Sequence, residues 1–171
     1  MRALIIGRFQ PFHMGHAEMV KNVGGDEIIF VIGSAYHSFS FDNPFTAGER
    51  YEMIFRAMQE IGMKKFHIVP VPDINRYGIY AKHVAELVPS FHVVFSNNPL
   101  IKEIFEKEGY KVESTPLYNR KEYQGKVIRE RIASGEKWEH LVPKSVAEYI
   151  KEIGGDERIR NLKISEKLTE E

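Results

Sequence analysis

Five short apolar runs occur in the first two thirds of the chain, and longer segments of mixed polarity separate them. The runs are ALIIG (3–7), EIIFVIG (27–33), FHIVPV (66–71), FHVVFS (91–96) and the less apolar YKVES (110–114). Continuous apolar runs of this length are typical of strands buried on both faces, and their alternation with helical segments indicates a parallel sheet. We therefore predict an α/β fold with a doubly wound, Rossmann-like parallel sheet of about five strands.

Two segments between the predicted strands carry helix-boundary patterns. In TAGERYEMIFRAMQEIG (46–62), Thr46 and Glu49 have the spacing of a capping box, and Gly62 is a typical helix end. A stripe of apolar residues at helical spacing is predicted to face the core: Tyr51, Ile54, Phe55, Met58 and Ile61. In NPLIKEIFEKEG (98–109), an Asn precedes a Pro at the first helical position and a Gly follows the last turn, which predicts a second helix.

The pattern changes after Thr115, where three segments with helical periodicity follow one another without a strand between them. They are GKVIRERIASG (125–135), WEHLVPKSVAEYIKEIGG (138–155) and DERIRNLKISEKL (156–168). We predict that 116–168 form a helical C-terminal cap on the sheet. A length of 171 residues suits one domain with a full-sized core, so 1–171 is predicted to be a single domain that includes this cap.

Composition narrows the partners and the chemistry. The chain has 24 basic and 24 acidic residues, so no excess of positive charge favours binding to a nucleic acid. The absence of cysteine excludes disulfides, thiolate metal ligands and cysteine nucleophiles, and it fits a reducing compartment. No apolar run approaches the roughly 20 residues that a membrane span requires. We expect a cytoplasmic protein that binds neither nucleic acids nor membranes.

The stretch GRFQPFHMGH (7–16), directly after the first predicted strand, has the features of an anion site. Gly7 and Gly15 let a ligand approach the backbone, and His13 and His16 lie on the same side of the first helical turn. The free amides and the dipole at a helix N-terminus attract an anion there. Imidazole N–H groups that donate at this turn would supplement the amides.

Arg8 adds a guanidinium whose fork geometry suits phosphate oxygens, which favours a phosphate site in this loop. Two alternatives remain open for the histidine pair. A metal site would need a third ligand, and no nearby His or acidic residue is clearly placed to supply it. An isolated H-x-x-H is more often a pair of turn histidines with no ligand, so the residues around the pair decide the interpretation.

The same stretch resembles the signature G-x-F-x-P-x-H-x-G-H of the nucleotidylyltransferase superfamily. Its six fixed positions are occupied by Gly7, Phe9, Pro11, His13, Gly15 and His16. Beyond this stretch, nearly the whole chain resembles the archaeal type of nicotinamide mononucleotide (NMN) adenylyltransferase. The matching stretches are GSA (33–35), NPFTAGER (43–50), NPL (98–100), NRKEY (119–123) and GEKWEHLVPKSVAEYIKEI (135–153).

This resemblance implies an enzyme that transfers AMP from ATP to NMN, giving NAD and pyrophosphate. It implies that His13, His16 and Arg8 are the catalytic residues and that they stabilise charge at the phosphates, with Gly7, Phe9 and Gly15 in the ATP site. It also implies Mg²⁺ as cofactor, held by phosphate oxygens and water and not by protein metal ligands. The archaeal enzymes form hexamers, so the resemblance implies a homo-oligomer.

A second signature of this family grips the ATP triphosphate, and the chain departs from it. The signature is Ser-Gly-Thr or Ser-x-Thr, then two residues and an Arg, and this chain has QGKVIRER (124–131). Gly125 and Arg129 match, whereas Gln124 and Lys126 replace the hydroxyl residues. Lys126 and Arg129 are three apart at a helix start, so both can face a polyphosphate, although such a pair is also typical of a solvated helix face. The resemblance implies ATP binding by Gly125, Lys126 and Arg129.

The predicted acceptor site also departs from the family. In DINRYGIYAKH (73–83), Tyr77 and Tyr80 occupy the positions of an Asn and a Trp that recognise and stack on nicotinamide. Tyr80 can still stack on a flat ring, whereas a Tyr77 phenol cannot reproduce the contacts of an amide. Asp42 replaces a residue that is basic in some members.

Three alternatives to NMN adenylyl transfer remain open, and the departures motivate the first two. The first is the same nucleotidyl transfer to a different phosphorylated acceptor. The second is a nucleotide-binding sensor without turnover, and the third is a metal-dependent hydrolase.

Overall fold

A five-stranded, all-parallel sheet forms the centre of the computed structural model, which describes residues 1–23 and 27–170. Its strands are β1 (Arg2–Gly7), β2 (Glu27–Ile32), β3 (Phe66–Pro70), β4 (Val93–Phe95) and β5 (Lys111–Glu113). The strand order is β3-β2-β1-β4-β5, and every neighbouring pair is parallel. The order changes direction between β1 and β4, which confirms the predicted doubly wound sheet of five strands.

Seven α-helices connect and cover the strands within the described ranges. They are α1 (Met14–Val23), α2 (Ala47–Ile61), α3 (Tyr80–Leu87), α4 (Pro99–Lys107), α5 (Gly125–Ser134), α6 (Lys144–Glu152) and α7 (Gly155–Glu170), with 3₁₀ turns at Tyr77–Ile79 and Glu139–Leu141. The last three helices follow β5 without another strand between them, which confirms the predicted helical C-terminal part. None of the helices described is both long enough and apolar enough to cross a membrane.

Each face of the sheet has its own apolar core, because successive side chains of a strand point to opposite faces. In β1, Ala3 and Ile5 belong to one core and Leu4 to the other. The larger core holds α1, α2 and the C-terminal helices, and the smaller core holds α3 and α4. The C-terminal helices therefore share their core with the first half of the chain.

The boundaries of α2 were predicted correctly, but its buried face was not. Thr46 and Glu49 form both hydrogen bonds of a capping box, and Gly62 ends the helix in the left-handed conformation at φ 85°. The prediction that Tyr51 and Phe55 belong to the buried stripe was wrong, since both are exposed. The buried residues of α2 are Arg50, Met53, Ile54, Ala57 and Met58. The helix turns Arg50 inward, where it donates to backbone carbonyls that follow β1 and β2. This orientation places the rings of Tyr51 and Phe55 on the outer side of the helix.

Helix α7 packs against the loop that joins β2 to α2. Both Nη atoms of Arg158 donate to the Glu49 carboxylate, at 2.7 and 2.8 Å, and Nη1 also donates to the Pro44 carbonyl at 3.1 Å. The Phe41 amide donates to Glu166, at 3.2 Å. The C-terminal helix thereby fixes a loop that borders the functional site.

Candidate active site

The loop after β1 brings two histidines together at the start of α1. The rings of His13 and His16 are stacked, with centroids 3.7 Å apart and 26° between their planes. The Gly15 amide donates to Nδ1 of His13 at 3.1 Å, so the His13 imidazole caps the helix. The His13 amide in turn donates to Nδ1 of His16 at 3.0 Å. The structure thus confirms that both histidines lie on one side of the first helical turn.

Both imidazoles are neutral hydrogen-bond donors. Burial, reinforced by the charge of Arg129, lowers the pKa of His13 to about 3. Burial, reinforced by His13, lowers the pKa of His16 well below its usual value. Because each Nδ1 accepts from a backbone N–H, each neutral ring carries its proton on Nε2. The Nε2–H groups of His13 and His16 are therefore both available as donors without a change in the protonation state of either ring.

Arg129, on the first turns of α5, adds a guanidinium to the same region. The residue is 3 % exposed, and Nη1 donates to the Gln10 carbonyl at 2.8 Å. Within the described ranges, no atom accepts a hydrogen bond from Nε, which is buried. The nearest carboxylate is that of Asp42, with Oδ1 3.9 Å from Nη2. Burial, followed by the charge of Arg8, lowers the pKa of Arg129 to about 10.

Gly125 makes room for this guanidinium. A Cβ at position 125 would lie 2.7 Å from Nη1 of Arg129 and 3.2 Å from the Gln10 carbonyl oxygen. Gly125, which matches the second family signature, therefore leaves the space that the Arg129 guanidinium occupies. Gly7 has a similar packing role, since a Cβ there would lie 3.1 Å from the Phe9 ring.

Two cavities meet at the carboxyl ends of β1 and β4. The first, which we call the histidine cavity, has a volume of about 540 Å³ and is lined by His13, Gly15, His16, Asn97, Thr115 and Gln124 among others. The second, the tyrosine cavity, has a volume of about 360 Å³ and is lined by Gly7, Arg8, Ser34, Asp73, Tyr77 and Tyr80 among others. Asn98 lines both, so the two cavities adjoin at this residue.

The tyrosine cavity contains a rigid ring beside a polar wall. Tyr80 packs edge-on against Phe105, with ring centroids 6.4 Å apart, and burial raises its pKa to about 12. Tyr77 is 64 % exposed at the cavity mouth. On the polar side, Ser34 donates to Asp73 at 2.8 Å. The cavity therefore offers one aromatic surface and several hydrogen-bonding groups.

Three other residues predicted for the ATP site differ in their exposure to solvent. Phe9 is buried and packs against the His16 ring, with centroids 4.7 Å apart. Arg8 borders the tyrosine cavity and donates to Asn43 Oδ1 at 3.1 Å. Lys126 is exposed and does not line the histidine cavity, whereas its neighbour Gln124 does.

Two features of the site were not predicted from the sequence. Asn97 and Thr115, at the ends of β4 and β5, bind each other through two hydrogen bonds of 3.0 and 3.2 Å and line the histidine cavity. Arg50 is fully buried and donates to carbonyls in the loop after β1 and in the loop after β2. One signal was available for Arg50, because it lies at helical spacing before Met53, Ile54 and Ala57.

The donor set of the histidine cavity suits an anion better than a protein-bound metal. Among residues 1–23 and 27–170, no group of three or more His, Asp or Glu side chains is placed to hold a metal ion. The imidazoles of His13 and His16 and the guanidinium of Arg120 line the cavity, whereas buried Arg129, whose charge acts on His13, does not line it. Imidazole N–H and guanidinium groups bind phosphate oxygens. A divalent cation would fit this site as a partner of bound phosphates.

Fold and site together define a nucleotide-binding α/β protein with a histidine pair at the point where the strand order changes direction. A family model described as cytidylyltransferase-like matches residues 4–131. The chain belongs to the cytidylyltransferase-like family.

Curated relatives are similar to the chain over nearly its full length. The nicotinamide-nucleotide adenylyltransferase of Archaeoglobus fulgidus is 52% identical over 169 residues, which cover 95% of this chain and 97% of the relative. Proteins with the same description from Pyrococcus abyssi and Thermoplasma volcanium are 50% and 47% identical and cover 95% and 94% of this chain, and 89% and 92% of their own lengths. These relatives confirm the resemblance to the archaeal enzymes.

Solved structures support the fold. A bifunctional NMN adenylyltransferase/ADP ribose pyrophosphatase from Francisella tularensis has a TM-score of 0.77 at 19% identity, covering 94% of this chain and 52% of its own. Its complex with AMP and a manganese ion has a TM-score of 0.75 at 20% identity, covering 94% of this chain and 51% of its own. The chain therefore spans about half the length of these structures.

Proposed function

We propose that the chain transfers AMP from ATP to NMN, giving NAD and pyrophosphate. The observation that carries this proposal is the stacked, neutral histidine pair at the start of α1, which lines the histidine cavity, the neighbour of the tyrosine cavity. The acceptor is taken from the curated relatives, which are described as nicotinamide-nucleotide adenylyltransferases.

ATP is proposed to occupy the histidine cavity. The Nε2–H groups of His13 and His16 donate to the α-phosphate, and the N-terminus of α1 adds its amides and dipole. The buried guanidinium of Arg129, whose Nε has no acceptor in the described ranges, is proposed to bind the outer phosphates from the start of α5. Exposed Lys126 on the same first turn is proposed to reach the outer phosphates from the solvent side. Gly125 keeps Arg129 in place.

NMN is proposed to occupy the tyrosine cavity, with its ring on Tyr80 and its phosphate near Arg8. Tyr77 at the cavity mouth is proposed to contact the ring substituent. A phosphate oxygen of NMN attacks the α-phosphorus of ATP, a new P–O bond forms, and the bond to the β-phosphate oxygen breaks to release pyrophosphate. Such a transfer needs alignment and charge stabilisation and no protein nucleophile.

The same proposal covers the cofactor and the assembly. Mg²⁺ would be held by ATP phosphate oxygens and water, where it would neutralise polyphosphate charge. We propose that 1–171 act as one domain, because α5, α6 and α7 share a core with α1 and α2. A homo-oligomer, such as the hexamer of the archaeal enzymes, and a cytoplasmic location complete the proposal.

Pyrophosphate release tests this function directly. The protein is incubated with ATP and Mg²⁺ and, in turn, with NMN, its acid analogue and a panel of other phosphorylated acceptors. Release with NMN is expected, and it should fall at least about 100-fold in His16→Ala, because one charge-stabilising donor is lost. His140→Ala, which removes an exposed histidine outside both cavities, serves as the matched control.

Tyr77 favours one second candidate, a different phosphorylated acceptor, because its exposed phenol stands where the family carries an Asn. Release with another acceptor but not with NMN would establish that candidate. Equal turnover of NMN and its acid analogue by Tyr77→Asn and the parent would argue against a specificity role for Tyr77. ATP binding without release for any acceptor would indicate a sensor.

A further inference from the structure

Among the residues that the structure describes, the buried guanidinium of Arg50 donates only to backbone carbonyls. Arg50 is 0 % exposed, and its N–H groups donate over distances of 2.9 to 3.3 Å to six carbonyl oxygens, those of Arg8, Gly33, Ser34, Ala35, His37 and Thr46. A guanidinium has five N–H groups, so at least one of them is shared between two acceptors. In the described ranges, no carboxylate lies within 4.0 Å of this guanidinium to form an ion pair.

These six carbonyls belong to three segments, which are also joined by the Gly33 amide donating to the Gly7 carbonyl at 2.8 Å and by two buried hydrogen bonds between Gln10 and Phe45. Arg8 is in the loop after β1, residues 33–37 form the loop after β2, and Thr46 caps α2. The two loops contribute Gly7, Arg8 and Ser34 to the tyrosine cavity. The first loop continues into the histidine pair. Arg50 therefore connects the loop that leads to the histidine pair with the loop that lines the tyrosine cavity, and in the described ranges its six hydrogen bonds are the largest set that one side chain makes with these segments.

The hydrogen bonds that Arg50 makes have no equivalent in a smaller side chain. A lysine ammonium has three donors on a flexible stem and lacks the planar fork, so it cannot satisfy six carbonyls in three segments at once. Burying a charge without an ionic partner is costly unless many hydrogen bonds compensate it. Packing alone would be served by an aliphatic residue, such as the Met53 and Ile54 that follow on the same helix face.

We propose that Arg50 is a positioning residue for AMP transfer, holding the loop after β1 in register with the loop after β2 so that the two substrates align. This inference rests on the proposed function. Displacement of a reacting group by about 1 Å can cost on the order of 100-fold in rate. The expected consequence of perturbing Arg50 is therefore a loss of kcat, while the ATP contacts in the histidine cavity persist.

The test compares Arg50→Lys with Arg56→Lys. Arg56 lies on the same helix and forms ion pairs with Glu52 and Glu152. Both variants are assayed at a temperature at which circular dichroism shows them fully folded. In Arg50→Lys, kcat is expected to fall about 10- to 100-fold with the KM for ATP changed less than about threefold, whereas Arg56→Lys should match the parent. If Arg50→Lys does not fold, Arg50→Gln, which retains two N–H donors, takes its place.

A kcat for Arg50→Lys equal to that of Arg56→Lys would overturn the proposal, and so would a rise in KM with an unchanged kcat.

Amide hydrogen exchange distinguishes failure of the positioning role from failure of the proposed function. The amides of Gly33, Ala35 and His37 are hydrogen-bonded in the loop after β2. Faster exchange of these amides in Arg50→Lys supports the positioning role even if NMN proves not to be the acceptor, and unchanged exchange overturns it.

Discussion

The imidazole of His13 lies flat against that of His16, and each Nδ1 accepts a hydrogen bond from a backbone amide. A proton added to either Nδ1 would break one of these hydrogen bonds and place a cation beside Arg129 or beside the other ring. The arrangement therefore excludes charged imidazoles at ordinary pH. It provides two N–H donors of fixed direction, which is the preorganisation that charge stabilisation in a transition state requires.

The histidine pair should make the stability of the fold depend on pH. In the native state the pKa of His13 is about 3, whereas in the unfolded chain it is near 6.5. Above pH 6.5 both states are neutral and the stability is complete. As the pH falls below 6.5, only the unfolded chain gains the proton, so the free energy of unfolding should drop by about 1.4 kcal/mol per pH unit for this histidine.

Urea unfolding between pH 6.5 and 4.5 measures this slope. His13→Asn is expected to flatten it by that amount, because Asn does not titrate and its side-chain oxygen can still cap α1. His140→Asn, at an exposed position, is the matched control. Parallel curves for His13→Asn and the parent would contradict the lowered pKa.

Gly15 is expected to be required for the position of His13 rather than for backbone freedom. A Cβ at position 15 would lie 2.9 Å from Cε1 and 3.0 Å from Nδ1 of His13. Gly15→Ala should therefore displace the ring and lower kcat about 10- to 100-fold. Steady-state kinetics of pyrophosphate release measures the loss.

Gly48→Ala is the matched control for this variant. Gly48 is the second residue of α2, as Gly15 is of α1, and its added Cβ would meet only Thr46 Oγ1, at 4.0 Å. It should retain parental activity and gain up to about 1 kcal/mol of stability from helix propensity. Equal activities of the two variants would show that His13 tolerates the added methyl group.

Asp42 should weaken the binding of ATP. Its exposed carboxylate lies 3.9 Å from Nη2 of Arg129, where a polyphosphate is proposed to bind. Asp42→Asn is therefore expected to lower the Kd for ATP about threefold at low salt, the size of a surface charge interaction. The difference should shrink at 0.5 M salt because exposed charges are screened. A Kd that is unchanged at low salt, as expected for the distant control Glu148→Gln, would exclude this role.

Local pattern was sufficient to predict the strands, the capping box of α2 and the side-by-side histidines. Each of these depends on residues within one or two turns of chain, and the burial of neighbouring strands follows from their apolar sequence. The resemblance to the family rested on such contiguous stretches as well. Its extension over nearly the full chain agrees with the curated relatives.

Packing between distant segments was beyond that local pattern. Helical spacing allowed Lys126 and Arg129 to share a face, but Arg129 is buried because the Gln10 carbonyl, 119 residues earlier, accepts its hydrogen bond. Helical spacing also predicted that Tyr51 and Phe55 face the core. In the structure Arg50 faces inward instead, because carbonyls from two loops that precede α2 accept its hydrogen bonds. Partners of this kind are brought together only by the fold.

The ion pair of Glu49 and Arg158 should contribute measurably to stability because it fixes α7 against the first turn of α2. Both side chains are 18 % exposed, and the pair is bidentate at 2.7 and 2.8 Å. Burial would raise the pKa of Glu49, but hydrogen bonds from Arg158 and from the Thr46 amide hold it below the usual value. Arg158→Met should therefore lower the free energy of unfolding by about 1–3 kcal/mol at pH 7.

The stabilisation from Glu49 should be lost as pH falls through its lowered pKa, since protonation removes the charge that Arg158 binds. Lys144→Met removes one side of the exposed pair with Glu148, whose atoms are 4.0 Å apart, and should change stability by less than about 0.5 kcal/mol. A double-mutant cycle with Glu49→Gln measures the coupling to Arg158. If the effects of the two substitutions were additive, the pair would not couple α7 to the start of α2, and the contacts of Phe41 with α7 would have to hold this helix in place.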